Sequence, residues 1–530
     1  MQSRRPWKGD AGMYYGTLVE HAARLHPDTP VHLDETPRLA EGAGPVLTLA
    51  ETAGVVQRLS ARLWAAGVRP AERVAVHLRT GFDYALTVFA AARIGAVPVP
   101  IASEVGPDAT AELLARLRRP HLVTDAATLT GPLAAVPLDD LAATVLLVDD
   151  GADGGTPLAA FAGAAPVAPV RLHPDQPALM THTSGTTGVP KIAVQTARTL
   201  QWRYRVIAAM APLVAGRRET SAMHLSFAHA HLYAALAVAM RRGMPLVVLA
   251  DPDPEAAADL FARTRPTMVD THPNTFLQWE GMADDPRRPL AGVRYFTSTF
   301  DAIHPRTVRR LLNASERRNP LWGQVYGQSE TGPVALRVYT RRGADHADGR
   351  CVGHPVPGVT RVRTRTADRR PAGLDDPGCI DVTSRGRAVT YFGEPERYAA
   401  ELLGDWWRMG DLGYRTRYGC LHLLDRQVDR LPAMRSNLEA EDLVLERLPE
   451  LVEAVIVAGG DGQPVPVVAT RGDAPLSAER WEKAVADLPP MDPPVRWAWA
   501  DLPRTATSKI KRLELSRLLA AGPQTSPPAP

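Results

Sequence analysis

Residues 181–191 read THTSGTTGVPK, a segment that combines five hydroxyl side chains, two glycines and a closing lysine. The flanking residues PALMT (177–181) and KIAVQT (191–196) predict strands, so this loop joins strand to strand, whereas a Walker A loop leads into a helix. Glycines let backbone N–H groups turn toward one point, hydroxyls donate to anionic oxygens, and lysine supplies a point charge. The segment therefore predicts a loop that binds a polyphosphate.

The chain on either side of this loop alternates helical and strand patterns. Val56, Leu59 and Leu63 share one face of a helix predicted over 49–68, which Gly67 would end. The other predicted features are a strand at 72–78, a helix and then a strand within 83–101, a Gly-, Ala- and Pro-rich surface connection at 151–170, and short apolar runs at 144–148, 246–250 and 454–458. This alternation predicts an α/β fold with largely parallel sheets.

Composition and charge exclude several functional classes. The chain has 530 residues, too many for one ordinary core, and a formal net charge of only +3 without a dense Lys/Arg block, so at least two domains and no nucleic-acid partner are expected. Cys351, Cys379 and Cys420 include no CxxC pair, which favours neither disulfides nor zinc and fits a reducing cytoplasm. The N-terminal segment lacks an apolar signal region, and no apolar run approaches the ~20 residues that span a bilayer, so no membrane partner is expected.

Four further motifs follow the loop in order: VYGQSETG (325–332), MGDLGY (409–414), DRQVDR (425–430) and LPRTATSKIKR (502–512). With TSGTTGVPK they resemble the adenylate-forming (ANL) superfamily, which contains acyl- and aryl-CoA synthetases, peptide-synthetase adenylation domains and luciferases. The second motif matches the family pattern YGxTE, with Ser329 in place of threonine. The order and spacing match over nearly the whole chain.

The resemblance implies a two-domain α/β architecture. A large N-terminal AMP-binding domain of layered sheets and helices is expected over 1–425. A small, mobile α+β domain is expected over 426–520, and its rotation would bring Lys509 to the site. The Pro-rich tail at 521–530 cannot bury apolar area and is predicted to be disordered.

The resemblance also implies a chemistry. Family members react ATP with a carboxylate to give an acyl-adenylate and pyrophosphate, and a second step passes the acyl group to a thiol or an amine. By this resemblance Ser329 would donate to the α-phosphate, Glu330 would hold Mg²⁺ with Thr183, and Lys509 would bridge the α-phosphate and the attacking oxygens. Lys509 would stabilise the negative charge that accumulates on the pentavalent centre.

The implied nucleotide site extends beyond these catalytic residues. Tyr326 would stack on adenine, Asp411 would accept hydrogen bonds from the ribose hydroxyls, and Arg426 would reach the ribose or the phosphates. The implied ATP-binding residues are Thr183, Ser184, Gly185, Thr186, Thr187, Gly188, Lys191, Tyr326, Asp411 and Arg426. ATP and Mg²⁺ are therefore the expected cofactors.

The chain departs from the family pattern at four places. Val428 stands at the hinge position, where Asp or Lys is usual, and residues 430–443 replace a glycine-bearing loop that forms the pantetheine channel in CoA ligases. Ser508 replaces the glycine before the catalytic lysine. The small-residue motif that lines the acyl pocket reads STFD at 298–301.

The fourth departure bears on the substrate. Replacing glycine by Thr299 and Phe300 adds side-chain volume where an acyl group sits, so a small, flat or polar substrate is expected and a fatty acid is not. The facing segments HLSFAHAHLY (224–233) and VDTHPNTF (269–276) are rich in histidine, and Asp301 could pair with an amino group on the substrate. The candidate pocket residues are His229, His231, His272, Ser298, Thr299, Phe300 and Asp301.

Three functions remain open from the sequence. The first is an AMP-forming ligase that activates a small aryl or short-chain acid and transfers it to CoA, to a carrier protein on a separate chain, or to an amine. The second is an ATP-dependent diazotase that adenylates nitrite and transfers it to an arylamine, which fits the filled acyl pocket, the polar wall and the altered loop. The third is a non-catalytic relative, against which the retained Lys191, Glu330, Asp411 and Lys509 count.

Overall fold

The computed structural model describes residues 12–183, 189–210, 219–344, 348–473, 475–505 and 509–521. Three groups of predictions lie outside the described residues. These are the binding roles of Ser184, Gly185, Thr186, Thr187 and Gly188, the effect of Ser508, and the disorder of the tail beyond Ala521.

A fourteen-stranded sheet runs through the large part of the molecule. One half is parallel, and its strands in spatial order are Pro30–Leu33, Leu246–Val248, Ser221–His224, Met268–Thr271, Tyr295–Ser298 and Leu321–Gln328, with Val46–Thr48 antiparallel at the edge. The other half is antiparallel, and its strands are Gly332–Tyr339, Cys351–Pro355, Leu421–Arg426, Trp406–Arg415 with Leu402–Leu403 beside it, Gly378–Ser384 and Thr360–Arg365. The prediction of largely parallel sheets is therefore wrong for this second half, because most of its strands pair antiparallel with a strand that is next to them in the chain, without a crossover to a parallel neighbour.

Three smaller sheets complete the strand architecture. Five parallel strands lie in the order Val97–Pro100, Arg73–His77, His121–Thr124, Thr144–Leu147 and Thr156–Pro157. An antiparallel sheet contains Thr390–Tyr391, Ile192–Thr196 and Pro177–His182. A C-terminal sheet contains Leu451–Ala458, Pro464–Thr470 and Val495–Arg496. The polyphosphate loop therefore joins two antiparallel strands, as its flanking residues predict.

Helices cover these sheets. The α-helices are Tyr15–Leu25, Leu49–Ala65, Phe82–Arg93, Pro107–Arg116, Ala126–Thr130, Leu138–Leu141, Ala197–Met210, Ala230–Arg242, Pro254–Thr264, Pro273–Gln278, Pro305–Ala314, Arg341–Ala344, Pro395–Ala400, Asn437–Arg447, Ala478–Val485 and Arg512–Ala520. Single 3₁₀ turns occur at Leu158–Phe161, Trp279–Ala283 and Trp499–Asp501. None of the described helices has the length and apolar character needed to cross a membrane.

The helix Leu49–Ala65 illustrates why the sequence pattern predicts these elements. Thr48 and Glu51 form a reciprocal capping box at its first turn, which satisfies two backbone N–H groups. Val56, Leu59 and Leu63 are all buried on one face, as predicted. Gly67 then adopts a φ of +101°, a conformation that favours glycine and ends the helix.

The C-terminal part has its own apolar clusters. Val444, Leu448 and Trp481 pack with Leu451 and Val468 of its sheet. The last strand of the large sheet ends at Arg426, and the first helix of the C-terminal part begins at Asn437. The boundary between 425 and 426 and the mobility of the smaller domain stay predictions.

The parallel half of the large sheet positions the site. Four neighbouring parallel strands end at Gln328, Ser298, Thr271 and His224, and their carboxyl ends lie at one edge. Ligands of α/β proteins bind outside such carboxyl ends. The segments that follow these four strands carry most of the predicted substrate-pocket residues.

Candidate active site

A cavity of about 510 Å³ lies at this edge, between the large sheet and the C-terminal part. It brings together side chains that lie between His182 and Lys509 in the sequence. The predicted site residues that line it are Thr183, Lys191, His229, His231, Thr299, Phe300, Ser329, Glu330, Arg426 and Lys509. The common cleft required by the adenylation chemistry is therefore present.

The base of the polyphosphate loop is closed by backbone hydrogen bonds. The Thr183 N–H donates to the Lys191 carbonyl at 2.9 Å, and the Lys191 N–H donates to Thr183 Oγ1 at 3.1 Å. Lys191 Nζ lies 5.0 Å from the ring centroid of Tyr391, a favourable position for a cation over an aromatic face. The ammonium group of Lys191 thus faces the cavity beside an aromatic wall.

Glu330 is held by the same tyrosine. The Tyr391 hydroxyl donates to Glu330 Oε1 at 2.6 Å. Burial, followed by the neighbouring Glu330 carboxylate, raises the pKa of Tyr391 well above its ordinary value, so the phenol stays a donor. One connected wall of the cavity therefore consists of Lys191, Tyr391 and Glu330. We call this the nucleotide end, because two of these residues are predicted to bind ATP and Mg²⁺.

Arg203 supports the loop that carries Ser329 and Glu330. Its Nη2 donates to the carbonyls of Ser329 at 2.8 Å and Glu330 at 3.2 Å, and its Nε donates to the carbonyl of Gly386 at 2.8 Å. Burial lowers the pKa of Arg203 to about 10, which still leaves it cationic at neutral pH. Sequence reasoning missed this residue, although a signal existed: Arg203 lies three residues from both Leu200 and Val206 on the buried face of the helix Ala197–Met210.

The motif VYGQSETG contains the tight turn between the antiparallel strands Leu321–Gln328 and Gly332–Tyr339. A Cβ atom at Gly327 would lie 2.2 Å from the Gly332 carbonyl oxygen, so only glycine fits at this position. The preceding Tyr326 donates its hydroxyl to Asp411 Oδ2, and Arg426 Nε lies 3.6 Å from Asp411 Oδ1. Tyr326 and Asp411 do not themselves line the cavity, and their contacts with adenine and ribose stay predictions.

Electrostatics at this wall follow from burial. Burial raises the pKa of the Asp411 carboxyl, and the neighbouring Arg426 opposes this shift. Burial also raises the pKa of Tyr326 well above its ordinary value, with the Asp411 charge adding to it. The pair is therefore a neutral phenol that donates to a buried carboxylate.

Lys509 enters the cavity from the C-terminal part. The Thr505 N–H donates to the Lys509 carbonyl at 2.8 Å, and the Lys509 N–H donates to Thr505 Oγ1 at 3.2 Å, which fixes the backbone on both sides of the lysine. Burial raises the pKa of Asp411 and lowers that of His272, and the charge of Lys509 acts to lower both. Lys509 therefore lies in the same cavity as Lys191 and Glu330, and its action on a nucleotide stays a prediction.

Contacts between the two parts hold this arrangement. Arg306 of the large part donates to the carbonyls of Pro449 at 3.3 Å and Leu451 at 3.2 Å. Arg471 of the C-terminal part forms an ion pair with the buried Glu280 at 3.1 Å. Hydrogen bonds and an ion pair therefore link the two parts.

The connection between the two parts contains a helix cap and an exposed hinge position. The side chain of Asp425, at the end of the large sheet, accepts the N–H groups of Asn437 at 3.0 Å and Leu438 at 3.3 Å, so it caps the first helix of the C-terminal part together with Ser436. Burial raises the pKa of Asp425 to about 6. Val428, at the hinge position, is 57% exposed.

The opposite end of the cavity is closed by Phe300. Its ring centroid lies 4.5 Å from those of His229 and His272 and 6.0 Å from that of His231. Phe300 has a φ of +82°, a left-handed conformation that is strained for a residue with a Cβ atom. Strained backbone conformations are often found at functional sites, where the surrounding structure holds a side chain in place. We call this end of the cavity, at Phe300, the substrate end.

The histidines around Phe300 have defined partners. His229 Nε2 lies 3.2 Å from Ser329 Oγ, and its Nδ1 accepts the N–H of His231 at 3.3 Å, which caps the helix Ala230–Arg242. His272 Nε2 accepts the N–H of Ser226 at 3.2 Å. Burial lowers the pKa of both His229 and His272 well below the ordinary value, so both are neutral imidazoles.

Three predicted pocket residues do not line this cavity. Ser298 is fully buried, and its Oγ accepts the indole N–H of Trp322 at 3.1 Å. Asp301 is exposed, accepts the N–H of Ala302 at 3.0 Å, and faces a second cavity of about 200 Å³ between the two parts. His272 packs behind Phe300. The alternation of the strand that ends at Ser298 turns this residue inward, so Thr299 and Phe300 alone of the STFD motif reach the ligand space.

Two predicted residues have oxygen atoms suited to Mg²⁺. Glu330 offers a carboxylate in the cavity, and Thr183 offers a hydroxyl at the loop base. Within the part of the chain that the structure describes, no group of three or more His, Cys, Asp or Glu side chains is arranged to hold a metal ion. Mg²⁺ often takes one or two protein ligands and completes its coordination with substrate phosphates and water, so Glu330 and Thr183 stay its predicted ligands.

Comparisons with known proteins agree with this geometry. A family model described as AMP-binding enzyme matches residues 19–392. The 3-amino-2-hydroxy-4-methoxybenzoate diazotase of Streptomyces cremeus is 46% identical over 97% of each chain, and the 3-aminoavenalumate diazotase of a Streptomyces species is 26% identical over 93% of each chain. The solved structure of the anthranilate CoA ligase AuaEII in complex with anthranoyl-AMP aligns with a TM-score of 0.81 at 17% identity, over 97% of this chain and 99% of that one.

Proposed function

Since the chain belongs to the AMP-binding family of adenylate-forming enzymes, we propose that it adenylates nitrite with ATP and transfers the activated nitrogen to an arylamine. The product would be an aryl diazonium ion, released with AMP and pyrophosphate. Of the functions that the sequence leaves open, this is the one that the site supports best. A cytoplasmic location, predicted from the scattered thiols, is part of the proposal.

The observation that carries the proposal is the closed, polar end of the cavity. Phe300 fills the space where an acyl group would extend, and His229 and His231 surround its ring. Nitrite has only three heavy atoms and no apolar tail, so the added volume of Phe300 would not exclude it from the cavity. Polar side chains at this wall suit a small anion better than a hydrocarbon chain.

The relatives support the same assignment. The diazotase that is 46% identical over 97% of each chain acts on an aminobenzoate that also carries hydroxyl and methoxy groups. A ring of this kind is flat and polar, which fits the expectation for the substrate pocket. We therefore infer an amino-substituted aromatic acid as the acceptor amine.

The first step would use the nucleotide end of the cavity. An oxygen of nitrite would attack the α-phosphorus of ATP, and the bond to pyrophosphate would break. Lys191 and the backbone of the polyphosphate loop would hold the outgoing phosphates, while Lys509 would stabilise the charge that develops on the α-phosphate oxygens. Glu330 and Thr183 would hold Mg²⁺, which neutralises phosphate charge when bound.

The second step would use the substrate end. The amine nitrogen would attack the nitrogen of the adenylated nitrite, so that an N–N bond forms and AMP leaves. No thiol carrier takes part in this route, so neither CoA nor a carrier protein is required. The altered segment 430–443, where CoA ligases have a conserved glycine-bearing loop, fits a reaction without a pantetheine arm.

The proposal is tested by following pyrophosphate release from ATP with purified full-length protein. We expect release to require nitrite, and we expect a diazonium product, trapped as an azo dye by a naphthol, only when an amino-hydroxybenzoate is also present. Controls are the aminobenzoate without nitrite, and nitrite with the ring that lacks the amine. Release that ignores nitrite and follows an aryl acid instead would restore the carboxylic-acid ligase as the function.

A further inference from the structure

His231 differs from the other histidines around Phe300 because its partner is a carboxylate. It lies at the start of the helix Ala230–Arg242 and lines the cavity. Its Nε2 lies 2.9 Å from Oδ2 of Asp270, on the strand Met268–Thr271. An imidazole that is hydrogen-bonded to a carboxylate through one ring nitrogen is held in a fixed orientation, and its other ring nitrogen can exchange a proton.

The second ring nitrogen of His231 is available. Across the residues that the structure describes, Nδ1 of His231 has no hydrogen-bond partner, whereas His229 and His272 each use a ring nitrogen to accept a backbone N–H group. Oδ1 of Asp270 is buried and has no partner among the described residues, so the carboxylate is engaged by His231 alone. The pair is thus a carboxylate–imidazole unit with one open position at the substrate end of the site.

The reaction proposed above needs a proton acceptor and then a proton donor at the same place. When the amine attacks the adenylated nitrite, an N–N bond forms, the N–O bond to AMP breaks, and one N–H proton must leave to give an N-nitrosoarylamine. That intermediate becomes the diazonium ion by moving its second N–H proton to oxygen, taking up one further proton and losing water. One proton is released and one is consumed, so a single group can supply the whole balance without an oxidant or a reductant.

We propose that His231, oriented by Asp270, accepts the proton of the attacking arylamine and returns it to the oxygen that leaves as water. This inference rests on the diazotase function proposed above. His231 is then the catalytic base and acid of the second step, and Asp270 is its positioning residue. Neither residue transfers a proton in the attack on ATP, which we assign to Lys509, Lys191 and Glu330 of the same cavity.

The experiment separates the two half-reactions in full-length protein. Nitrite-dependent exchange of labelled pyrophosphate into ATP, measured without amine, reports the first step. Azo-dye trapping in a single turnover, after an amino-hydroxybenzoate is added, reports the second. His231→Asn and His231→Ala should lower diazonium formation by about 10²–10⁴-fold, the usual contribution of general acid–base catalysis. Exchange should fall by a much smaller factor, because His231 borders the space proposed for nitrite but transfers no proton in the first step.

Chemical rescue distinguishes a proton-transfer role from a packing role. Added imidazole should restore part of the diazonium formation in His231→Ala, since the deleted ring leaves space beside Asp270, and should do nothing for wild type. Asp270→Asn should slow the same step by a smaller factor, and imidazole should not rescue it. His173→Asn, which changes an exposed histidine with a side chain that is 69% accessible, is the matched control and should leave both steps unchanged.

The possible failures are distinguishable. Two results would overturn the role of His231 but not the proposed function. One is diazonium formation at the wild-type rate by His231→Asn. The other is loss of diazonium formation in His231→Ala that imidazole does not restore, while exchange persists. Wild-type protein that shows no nitrite-dependent exchange would overturn the proposed function itself.

Discussion

The two ends of the active-site cavity differ in how their residues are held. At the nucleotide end, Lys191, Tyr391 and Glu330 form a connected wall, and Arg203 braces the loop behind it through three backbone carbonyls. At the substrate end, Phe300 adopts a strained backbone conformation among imidazoles. We therefore expect the nucleotide end to serve a reaction common to the family, and the substrate end to select the ligand.

The largest effect is expected at the lysine that completes the nucleotide end. Lys509→Ala should slow nitrite-dependent pyrophosphate release by about 10²–10³-fold, because a charge that stabilises the transition state is lost. Lys511→Ala, two residues away and paired with Glu514 at 3.1 Å, should leave the rate unchanged. Pyrophosphate release at the wild-type rate by Lys509→Ala would contradict the assignment of ATP activation to Lys509 and the nucleotide end.

Arg203 tests whether the nucleotide end depends on its buried brace. Arg203→Met removes the guanidinium donor from three carbonyls, of which only that of Glu330 is shown to keep another donor, the N–H of Ala388, and it should lower the free energy of unfolding by about 2–4 kcal/mol. Pyrophosphate release should fall as well, since Ser329 and Glu330 lose their backbone support. Urea denaturation measures the first effect, and Arg205→Met, at an exposed position of the same helix, is the control. Equal stability of the two variants would contradict the role of Arg203.

Phe300 tests the substrate end. Phe300→Gly opens the closed wall and removes the cost of a φ of +82°, so benzoate should gain on nitrite as the activated anion by at least about tenfold in relative kcat/KM. The KM for ATP should stay the same, because the nucleotide end is untouched. Pyrophosphate release with each anion gives the ratio, and an unchanged ratio would show that Phe300 does not select the substrate.

The smallest effect is expected at Tyr391. Tyr391→Phe removes one hydrogen bond to the Glu330 carboxylate and should cost about 1 kcal/mol of unfolding free energy. The rate of pyrophosphate release should fall modestly, and the preference for nitrite should not change. Tyr418→Phe, at a position that is 74% exposed, is the matched control. A shift in substrate preference would show that the two ends are coupled.

The sequence predicts the nucleotide end better than the substrate end. Thr183, Lys191, Glu330 and Lys509 stand in ordered motifs, so the resemblance alone places them in one cleft, and the structure brings all four to the cavity. Arg203 was missed because its role is to hold backbone carbonyls, and such a role leaves no motif. Its only trace is a charged residue on a buried helix face.

At the substrate end, local sequence cannot say which way a side chain faces. The STFD motif identifies the right turn, yet Ser298 faces the core and Asp301 faces the second cavity. Asp270 carried no signal either, because its meaning depends on His231, which is 39 residues earlier in the sequence and on a different element. Likewise, hydrophobic periodicity does not encode whether paired strands run parallel or antiparallel, nor that Cys351–Pro355 pairs with the distant strand Leu421–Arg426.

The Asp425 cap has a consequence for motion. If the C-terminal part turns away from the cleft about residues 426–428, the helix that begins at Asn437 must leave the carboxylate that accepts its first N–H groups. Burial raises the pKa of Asp425 to about 6 in the closed arrangement, and hydration in an open arrangement would return it toward its ordinary value near 4. Between these two pKa values, opening would release a proton. The contact between Asp425 and the helix would therefore be most stable in mild acid and would weaken as the pH rises.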